Sequence, residues 1–434
     1  MSEWTAVRLS EIADIRVSNV DKKSVPGEPG VRLCNYMDVY ANDYITADLP
    51  FMEATAPSAQ IERFKVEVGD VMITKDSESP DDIGIPAVAV DSVDLLVCGY
   101  HLALIKPRRA VLDGSYLAKQ LGTGGTARYF GQRASGSTRY GLSTSAIANT
   151  PIPLAPLPQQ RRIAEILTTV DEAMEQTEAL VAKLQQMKAG LMHDLFTRGV
   201  TPEGHLRPTQ PEAPHLYHQT PLGWLPREWE IVTTEDCASK VPGSTTIGPF
   251  GSDLLSSDYC TEGVPVAFVR DVKESGFEWN SNVYVSPTKA ERLRAHSVKS
   301  GDLLSTKMGL PPCVTCSYPD WMENGVITAD IVRLRPDSEK INGRWLAAAM
   351  NGESIKRQVQ AITAGVTRPK VTLSDYRRLR LSRPLINEQN LIAERLASAT
   401  CVLDIEAEKL AKLRQQKQGL MQDLLTGRVP VFTK

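Results

Sequence analysis

The chain has 434 residues, of which 42% are hydrophobic and 23% charged, and its formal net charge at pH 7 is −3. This length favours two or more globular domains, and the balanced charge argues against wholesale coating of nucleic acid or an anionic membrane. No apolar run is long enough to span a membrane, and the scattered cysteines fit a reducing cytoplasm better than a disulfide framework.

Residues 1–154 form the first predicted domain, a mixed α/β unit. Short β-rich runs such as VMIT (71–74) and AVAV (87–90) are separated by turn-rich segments, and SYLAKQL (115–121) is a helical candidate. A loop rich in small and hydroxyl residues, ASGSTRYG (134–141), follows that helix. The stretch from Lys106 to Arg139 carries a local charge of +6, so a basic face is expected.

Residues 155–200 are predicted to form a long helix, because no proline occurs between Pro158 and Pro202. Its apolar positions follow alternating steps of four and three, the heptad seam of a coiled coil. These seam positions are Ile163, Leu167, Val170, Met174, Val181, Leu184, Leu191 and Leu195, and the polar residues Thr177 and Lys188 occupy the two remaining positions of the frame. The polar, proline-rich segment 201–221 then predicts an extended linker.

Residues 222–386 form the second predicted domain, again mixed α/β. It contains the β-rich run ITADIVRLR (327–335), the helical candidate RWLAAAM (344–350) and the small-residue loop TAGVTRPK (363–370). The stretch from Arg344 to Arg383 carries a local charge of +7. Residues 387–434 form a second predicted long helix, whose seam positions are Ile392, Leu396, Leu403, Leu410, Leu413, Leu420 and Leu424.

The two halves of the chain are copies of each other. At an offset of 229 residues, 17 of 42 positions are identical between 159–200 and 388–429. The offset also aligns Thr138-Arg139 with Thr367-Arg368, and a three-residue slip aligns Thr74-Lys75 with Thr306-Lys307. A repeat this long indicates a tandem duplication of two domain-sized units.

The shared heptad frame favours packing of the two long helices on each other. Antiparallel pairing places Lys188 near Ala399 and Lys417 near Val170, whereas parallel pairing in register sets the two lysines together. An antiparallel coiled coil with pseudo-twofold symmetry is therefore predicted, with the globular domains at its opposite ends. Gly190 and Gly419 are expected to permit close approach of a partner helix. The alternative is that each helix packs only on its own domain.

Each basic stretch contains a loop suited to phosphate contact through backbone N–H groups, hydroxyls and arginine. Two such loops on a pseudo-twofold scaffold favour double-stranded DNA with two half-sites, although a solvated basic surface is the alternative. The candidate DNA-binding residues are Lys75, Arg128, Arg133, Ser137, Thr138, Arg139 and Tyr140 in the first half and Thr245, Thr246, Ser252, Lys307, Thr367, Arg368 and Lys370 in the second.

Four segments carry a resemblance to a known family. They are PLAPLPQQRRIAEIL (153–167), KLQQMKAGLMHDLFTRGV (183–200), LGWLPREWEIV (222–232) and IGPFGSDLLSSDYCTEGVPVAFVRDV (247–272). In this order, over essentially the whole chain, they resemble the specificity subunit of type I restriction-modification enzymes. The first domain has no clear counterpart to the GPFGS segment, so its base-reading loops cannot be placed by analogy.

The resemblance implies a mechanism. Each domain would read one half of a bipartite, asymmetric DNA target, and the antiparallel helices would fix the spacer between the halves. Two methyltransferase subunits would dock on the chain and methylate adenine with S-adenosylmethionine. A restriction subunit driven by ATP and Mg is a further partner that the family allows. The chain itself would bind no cofactor or metal, would not contact a membrane, and would reside in the cytoplasm.

The residues offer no catalytic motif. The chain lacks a GxxxxGK[ST] phosphate loop and the adenine-methyltransferase tetrapeptide, and the lone C-x-x-C of Cys313 and Cys316 lacks a second ligand pair. The favoured interpretation is a non-catalytic DNA-recognition subunit. A coiled-coil protein-interaction scaffold without DNA specificity is the main alternative, and an enzyme with its own nuclease or methyltransferase activity is a third.

Overall fold

The computed structural model describes residues 4–363 and 369–432. The chain divides into two compact units: unit 1 comprises Met1–Ala179 and Ala407–Lys434, and unit 2 comprises Leu180–Glu406. Each unit therefore contains one mixed α/β domain together with parts of both long helices. Within the described residues, no helix combines the length and the apolar character needed to cross a bilayer.

Unit 1 is built around a five-stranded sheet. In spatial order its strands are Ala13–Val17, Leu102–Pro107, Val71–Thr74, Pro86–Ala89 and Tyr44–Ile45. A three-stranded sheet comprises Met52–Thr55, Gly30–Cys34 and Leu96–Cys98. Two short ladders pair Ala6–Arg8 with Pro151–Pro153 and Asp76–Ser77 with Tyr140–Gly141. The helices before the first long helix are Leu9–Ile12, Tyr36–Tyr40, Ser58–Phe64, Gly114–Leu121, Gly124–Gly131 and Thr144–Ala148.

The five-stranded sheet of unit 1 has a hydrophobic core on each face. On the strand Leu102–Pro107, Ala103 and Ile105 belong to one core, whereas Leu102 and Leu104 belong to the other. This follows from the alternation of side chains along a strand. Burial on both faces explains why this strand and VMIT are continuous apolar runs rather than alternating ones.

Both long helices contribute to unit 1. The first long helix, Leu157–Thr197, places Ile163 and Leu167 in the same core as Leu424 of the second long helix, Ile386–Leu425. Lys417 forms an ion pair with Asp171 at 2.7 Å, and Arg414 forms one with Glu178 at 2.8 Å. Numbers rise along one helix as they fall along the other, so the helix segments of unit 1 run antiparallel.

Asp171 lies at the centre of a polar cluster in unit 1. Its carboxylate accepts hydrogen bonds from Lys119 Nζ at 2.5 Å and from the Tyr44 hydroxyl at 2.7 Å, and it pairs with Lys417. Burial alone would raise the pKa of Asp171, but the hydrogen bonds from Lys119 and Lys417 outweigh burial and lower this pKa. The cluster therefore ties the α/β domain of unit 1 to both long helices.

Unit 2 contains the same kinds of layers. A four-stranded sheet has the spatial order Thr245–Ile247, Ile331–Leu334, Leu303–Thr306 and Thr315–Ser317, and a five-stranded sheet has the order Tyr259–Cys260, Tyr284–Val285, Val264–Ala267, Gly325–Ile327 and Ser297–Val298. Short ladders pair Tyr217–Thr220 with Gly223–Pro226, Glu230–Thr233 with Arg380–Arg383, and Val272–Lys273 with Gly276–Phe277.

The α-helices that precede the second long helix in unit 2 are Pro287–Arg292, Gly343–Met350, Glu353–Ile362 and Leu373–Arg378, and the short 3-10 helices are Pro214–Leu216, Glu235–Cys237, Gly251–Asp253, Ser256–Asp258, Val269–Asp271 and Arg294–His296. The main core of this unit includes Leu195 of the first long helix and Ile392 and Leu396 of the second. Buried Trp345 and Leu334 of the α/β domain lie in the same core. Parts of both long helices therefore pack on each domain.

A buried glutamine fastens the first long helix to the domain of unit 1. Gln160 accepts a hydrogen bond from the Asp113 N–H at 2.9 Å through its Oε1. Its Nε2 donates to the carbonyl oxygens of Val111 at 2.9 Å and Ala155 at 2.7 Å. One side chain therefore satisfies three backbone groups at the helix entry.

Gln389, the repeat counterpart of Gln160, forms the same three kinds of bond in unit 2. Its Oε1 accepts from the Asn342 N–H, and its Nε2 donates to the carbonyl oxygens of Lys340 and Pro384, each at 2.9 Å. The duplication seen in the sequence therefore extends to individual hydrogen bonds.

The segment 201–221 differs from the expected extended linker. Tyr217–Thr220 pairs with Gly223–Pro226 as an antiparallel hairpin, and buried Arg207 donates a 3.1 Å hydrogen bond to Glu388 of the second long helix. Proline fixes the backbone angle φ but does not prevent neighbouring side chains from packing. The segment is therefore folded onto unit 2.

The structure also adds helices that the sequence pattern did not predict. Gly114–Leu121 and Gly343–Met350 match the two predicted helices, but each is followed by a second helix, Gly124–Gly131 or Glu353–Ile362, before the small-residue loop. Glycines around these helix starts favoured a loop prediction. In the first case the Thr123 side chain caps the new helix by accepting a hydrogen bond from the Thr126 N–H.

Candidate nucleic-acid interface

Lys75 lies at a junction of three chain segments in unit 1. It follows the strand Val71–Thr74, and its N–H donates to the His101 carbonyl oxygen at 2.9 Å. The Lys75 carbonyl oxygen accepts from the Leu142 N–H at 2.8 Å. These two backbone hydrogen bonds therefore fix the position from which the Lys75 side chain projects.

Four side chains meet at this junction, and we call Lys75, Asp76, His101 and Arg139 the first lysine site. Asp76 Oδ2 lies 2.7 Å from Lys75 Nζ and 2.6 Å from His101 Nδ1. Arg139 Nη2 lies 3.4 Å from His101 Nε2. Burial alone would raise the pKa of Asp76, but hydrogen bonds from Lys75 and His101 lower this pKa, so Asp76 is an anion near neutral pH.

Aromatic rings border the first lysine site. Lys75 Nζ lies 5.7 Å from the centre of the exposed Tyr100 ring, within cation–π range. Half-buried Tyr36, which lies within electrostatic range of Asp76 and Arg139, stacks on exposed Tyr40 with ring centres 5.6 Å apart. Exposed tyrosine faces next to lysine and arginine suit contact with the sugar-phosphate backbone or with bases.

The loop that carries Arg139 is a tight turn held closed by backbone bonds. Ser135 and Gly141 exchange backbone hydrogen bonds of 3.0 and 2.9 Å. Gly136 has a φ of +144°, and a Cβ atom there would lie 2.0 Å from the Arg139 carbonyl oxygen, so the turn requires glycine. Ser137 and Thr138 are consequently exposed beside Arg139.

The remaining predicted residues of the first half are dispersed. Tyr140 is half-buried and pairs with Ser77 in the short ladder, next to the first lysine site. Arg128 and Arg133 are exposed on or just after the helix Gly124–Gly131, and the Arg133 guanidinium covers the Tyr129 ring at 3.8 Å. No contact described in the structure links these two arginines to Lys75.

Lys307 repeats the backbone pattern of Lys75 in unit 2. Its N–H donates to the Asp330 carbonyl oxygen at 2.7 Å, and its carbonyl oxygen accepts from the Val371 N–H at 3.0 Å. Asp330 and Val371 are the repeat counterparts of His101 and Leu142. The two units therefore share the pair of backbone hydrogen bonds that holds each lysine.

The side chains around Lys307 differ from those around Lys75, and we call Lys307, Met308, Asp330 and Lys370 the second lysine site. Met308 follows Lys307 where Asp76 follows Lys75, and it forms an isolated β-bridge with exposed Lys370. Lys307 Nζ lies 5.1 Å from the centre of the exposed Phe250 ring.

An open recess of about 530 Å³ adjoins the second lysine site. It is lined partly by Asp330, Thr328 and Arg270, whose guanidinium lies 4.6 Å from the Phe268 ring centre. Arg270 Nε also donates to the Ser281 hydroxyl at 2.8 Å. Unit 2 thus presents a fixed arginine and a carboxylate at the edge of a recess, which can donate to and accept from base edges.

The other predicted residues of the second half occupy varied positions. Thr245 is buried with its hydroxyl unpaired among the described residues, whereas Thr246 is half-buried and Ser252 is exposed. The side chain of Thr245 therefore does not reach the surface. Thr367 and Arg368 lie outside the described residues.

The predicted coiled-coil residues divide by burial. The buried ones are Ile163, Leu167, Leu195, Ile392, Leu396, Leu410 and Leu424. The half-buried ones are Val170, Met174, Leu184, Leu191, Leu403, Leu413 and Leu420. Among the described residues, a Cβ atom added at Gly190 or Gly419 would meet nothing within 4 Å, so neither glycine mediates a close helix contact there.

Sequence reasoning missed His101, Asp330, Phe250 and Arg270 as members of these sites. His101 and Asp330 are aligned by the 229-residue offset, and both follow short apolar strands, so the repeat held a usable signal. The cation–π contact of Phe250 had no such signal, because it depends on how separate loops pack.

The family comparison identifies the domain type. Residues 1–186 match the family model for the type I restriction modification DNA specificity domain. A Methanocaldococcus jannaschii protein described as a candidate type I restriction enzyme MjaX specificity subunit is 21% identical over 441 residues, covering 99% of this chain and 95% of that protein. The type I restriction enzyme MjaVIII specificity subunit of the same organism is 23% identical over 293 residues, covering 65% of this chain and 63% of its own length.

Solved structures share the fold along the whole chain. The S subunit of a type I restriction-modification system from M. genitalium has a TM-score of 0.59 at 14% identity, covering 100% of this chain and 97% of that one. A chain from a study of complex assembly and conformational transition of the type I R-M system has a TM-score of 0.53 at 18% identity, covering 98% of each. The resemblance drawn from the sequence motifs is therefore confirmed.

Proposed function

We propose that this chain, which carries a type I restriction modification DNA specificity domain, is the sequence-specific DNA-binding subunit of a type I restriction-modification complex. Each α/β domain reads one half of a bipartite, asymmetric target. The chain directs adenine methylation and restriction by its partners and is the recognition component rather than a catalytic one.

The observation that carries this proposal is the repeated lysine with altered surroundings. The backbones of Lys75 and Lys307 form matching hydrogen bonds. Lys75 bonds His101 and Leu142 in one unit, and Lys307 bonds Asp330 and Val371 in the other. A common backbone with different side chains suits two modules that read different bases through one docking geometry.

The basic loops supply the sequence-independent part of binding. Ser137 and Thr138 are exposed at the tip of one loop, and Lys370 is exposed on the equivalent segment of the other. Hydroxyls and cations of this kind contact phosphates, which position a protein on a duplex without reading its sequence. Because the net charge of the chain is −3, we expect DNA binding to be confined to these basic faces.

The long helices complete the proposal. They form an antiparallel coiled coil with the two α/β domains at its opposite ends, fix the spacer between half-sites and dock two methyltransferase subunits. The antiparallel order of the ion pairs Asp171–Lys417 and Glu178–Arg414 supports this arrangement. S-adenosylmethionine belongs to the methyltransferase, and ATP with Mg to a restriction subunit where one joins. We place the assembly in the cytoplasm.

Binding of the purified chain to a random-sequence duplex at increasing salt tests the DNA role. We expect the affinity to fall steeply with salt, and Lys75→Ala and Lys307→Ala each to reduce the slope of log affinity against log salt by about 1. Lys412→Ala, at an exposed position on the second long helix, is the matched control and should leave the slope unchanged. A protein-interaction scaffold without DNA specificity would give neither binding nor salt dependence.

A further inference from the structure

In the first lysine site, four side chains contact one another in the order Lys75, Asp76, His101 and Arg139, and we call this series of contacts the relay. Lys75 Nζ and His101 Nδ1 both lie against Asp76 Oδ2, at 2.7 and 2.6 Å, and His101 Nε2 faces Arg139 Nη2 at 3.4 Å. The two cations Lys75 and Arg139 are thus connected through one carboxylate and one imidazole.

A hydrogen bond between Arg139 and His101 requires one particular tautomer of the imidazole. A guanidinium can only donate hydrogen bonds, so His101 Nε2 must be the acceptor from Arg139. The Nδ1 atom then carries the proton and donates it to the Asp76 carboxylate. Asp76 therefore sets the imidazole tautomer that can receive Arg139.

The imidazole is also held sterically. His101 has a φ of +74°, an uncommon backbone conformation that turns its side chain into the site, and its ring lies 3.9 Å centre to centre from the Tyr100 ring. Its carbonyl oxygen is bonded to the Lys75 N–H at 2.9 Å. His101 is consequently positioned by its backbone, a neighbouring ring and Asp76 together.

The described residues of unit 2 do not repeat this relay. The counterpart of Asp76 is Met308, which cannot accept a strong hydrogen bond, and the counterpart of His101 is Asp330. The repeat kept the lysine and its backbone bonds but replaced both middle members of the relay.

We propose that Asp76 and His101 are positioning residues that orient the exposed guanidinium of Arg139 to donate two hydrogen bonds to guanine in the first half-site. The inference rests on the proposed function. His101 occupies only Nη2 of Arg139, so other N–H donors remain available for the O6 and N7 acceptors of guanine. The second half-site is read without this relay.

The test is selection of bound duplexes from a random-sequence library by the full chain with its cognate methyltransferase. His101→Asn is the main variant, because asparagine tolerates a positive φ but is too short to reach Arg139. Asp76→Asn removes the carboxylate at nearly constant shape, and Arg139→Ala removes the proposed reader. Lys412→Ala, at an exposed position on the second long helix, is the control, and thermal unfolding verifies that each variant folds.

We expect Arg139→Ala, His101→Asn and Asp76→Asn each to reduce the preference for guanine at one and the same position, by about tenfold, within the range for a bidentate contact. His101→Gln, whose amide oxygen can accept from Arg139, should restore part of it. The second half-site and the affinity for non-specific duplex should change less than about twofold.

Two results would overturn the positioning role. One is an unchanged guanine preference in His101→Asn while Arg139→Ala loses it. The other is an equal loss at every base of the target in His101→Asn, which indicates general unfolding of the site. If the wild-type chain selects no sequence at all, the proposed function itself fails, and that result is recognised before any variant is compared.

Discussion

The two lysine sites share two backbone hydrogen bonds and differ in their side chains. Each lysine donates to the carbonyl at the start of one strand and accepts from the segment after the small-residue loop. Asp76 and His101 surround the first lysine, whereas Met308 and Asp330 surround the second. The backbone bonds persist because three segments must meet there. The half-buried side chains differ, because none of them takes part in these backbone hydrogen bonds.

The contacts that join the long helices to the α/β domains also include one set that is repeated in both units and one that is not. Gln160 and Gln389 form equivalent sets of three hydrogen bonds. The Asp171 cluster, in contrast, occurs in one unit, since the counterparts of Asp171 and Lys119 are Thr400 and Ala348. The duplication therefore preserved the glutamine contacts in both units, whereas the Asp171 cluster is specific to unit 1.

The largest effect is expected at the Asp171 cluster. Asp171→Ala leaves buried Lys119 and half-buried Lys417 with only the longer ion pairs to exposed Asp43, which should cost about 3 kcal/mol of unfolding free energy. Thr400→Ala at the equivalent position should cost less than about 1 kcal/mol, because among the described residues its hydroxyl bonds the Leu396 carbonyl of its own helix alone. Denaturant unfolding measures both, and equal losses would contradict the asymmetry.

The same cluster predicts a pH dependence. Because the pKa of Asp171 is lowered in the folded state, its contribution to stability is complete above the unfolded value of about 3.9 and is lost as pH falls through the folded value. The stability difference between the wild type and Asp171→Asn should therefore shrink below about pH 4. Unfolding curves at several pH values test this, and a difference that grows on acidification would refute it.

The glutamine pair should give equal effects. Gln160→Ala and Gln389→Ala each leave buried backbone groups unsatisfied, so each should lower the unfolding free energy by about 2 kcal/mol. Hydrogen exchange at the Asp113 and Asn342 amides reports each junction separately. A loss confined to one variant would show that the repeated hydrogen bonds are not equivalent in energy.

Lys370 provides a test restricted to the second half of the chain. Lys370→Ala removes an exposed cation and should weaken duplex binding by about fivefold, with assembly with the methyltransferase unchanged. Competition binding and size-exclusion chromatography of the complex measure the two properties. Arg368→Ala should behave in the same way. Loss of assembly with intact DNA binding would contradict the assignment.

The smallest effects are expected at the two helix glycines. Gly190→Ala and Gly419→Ala meet no neighbouring atom, so each should stabilise the isolated chain by up to about 1 kcal/mol. If the partner helices approach these positions, the same variants should weaken assembly with the methyltransferase. Thermal unfolding of the chain alone and titration with the methyltransferase separate the two effects, and a destabilised isolated chain would contradict the open surroundings.

Much of the fold could be predicted from the repeat and its periodicity. The heptad spacing predicted the long helices, which the structure places at Leu157–Thr197 and Ile386–Leu425. The strand Val71–Thr74 and the helices Gly114–Leu121 and Gly343–Met350 also match their apolar patterns. These elements depend on local periodicity, which a single sequence records directly.

The parts that could not be predicted depend on long-range contacts. The folding of 201–221 requires Arg207 to meet Glu388, and the linker composition gave no sign of that pairing. The relay through His101 joins residues from three separated segments. Thr245 was predicted to contact DNA, but its position in the strand Thr245–Ile247 buries its side chain in the interior.

The central claim is that this chain selects a bipartite DNA target. Base-resolved adenine methylation should be compared between a host with this chain and its cognate methyltransferase and a host lacking only this chain. We predict an asymmetric, two-part methylated motif with a fixed spacer that disappears with the chain. Identical methylation in the two hosts, with the methyltransferase present in both, would contradict the account.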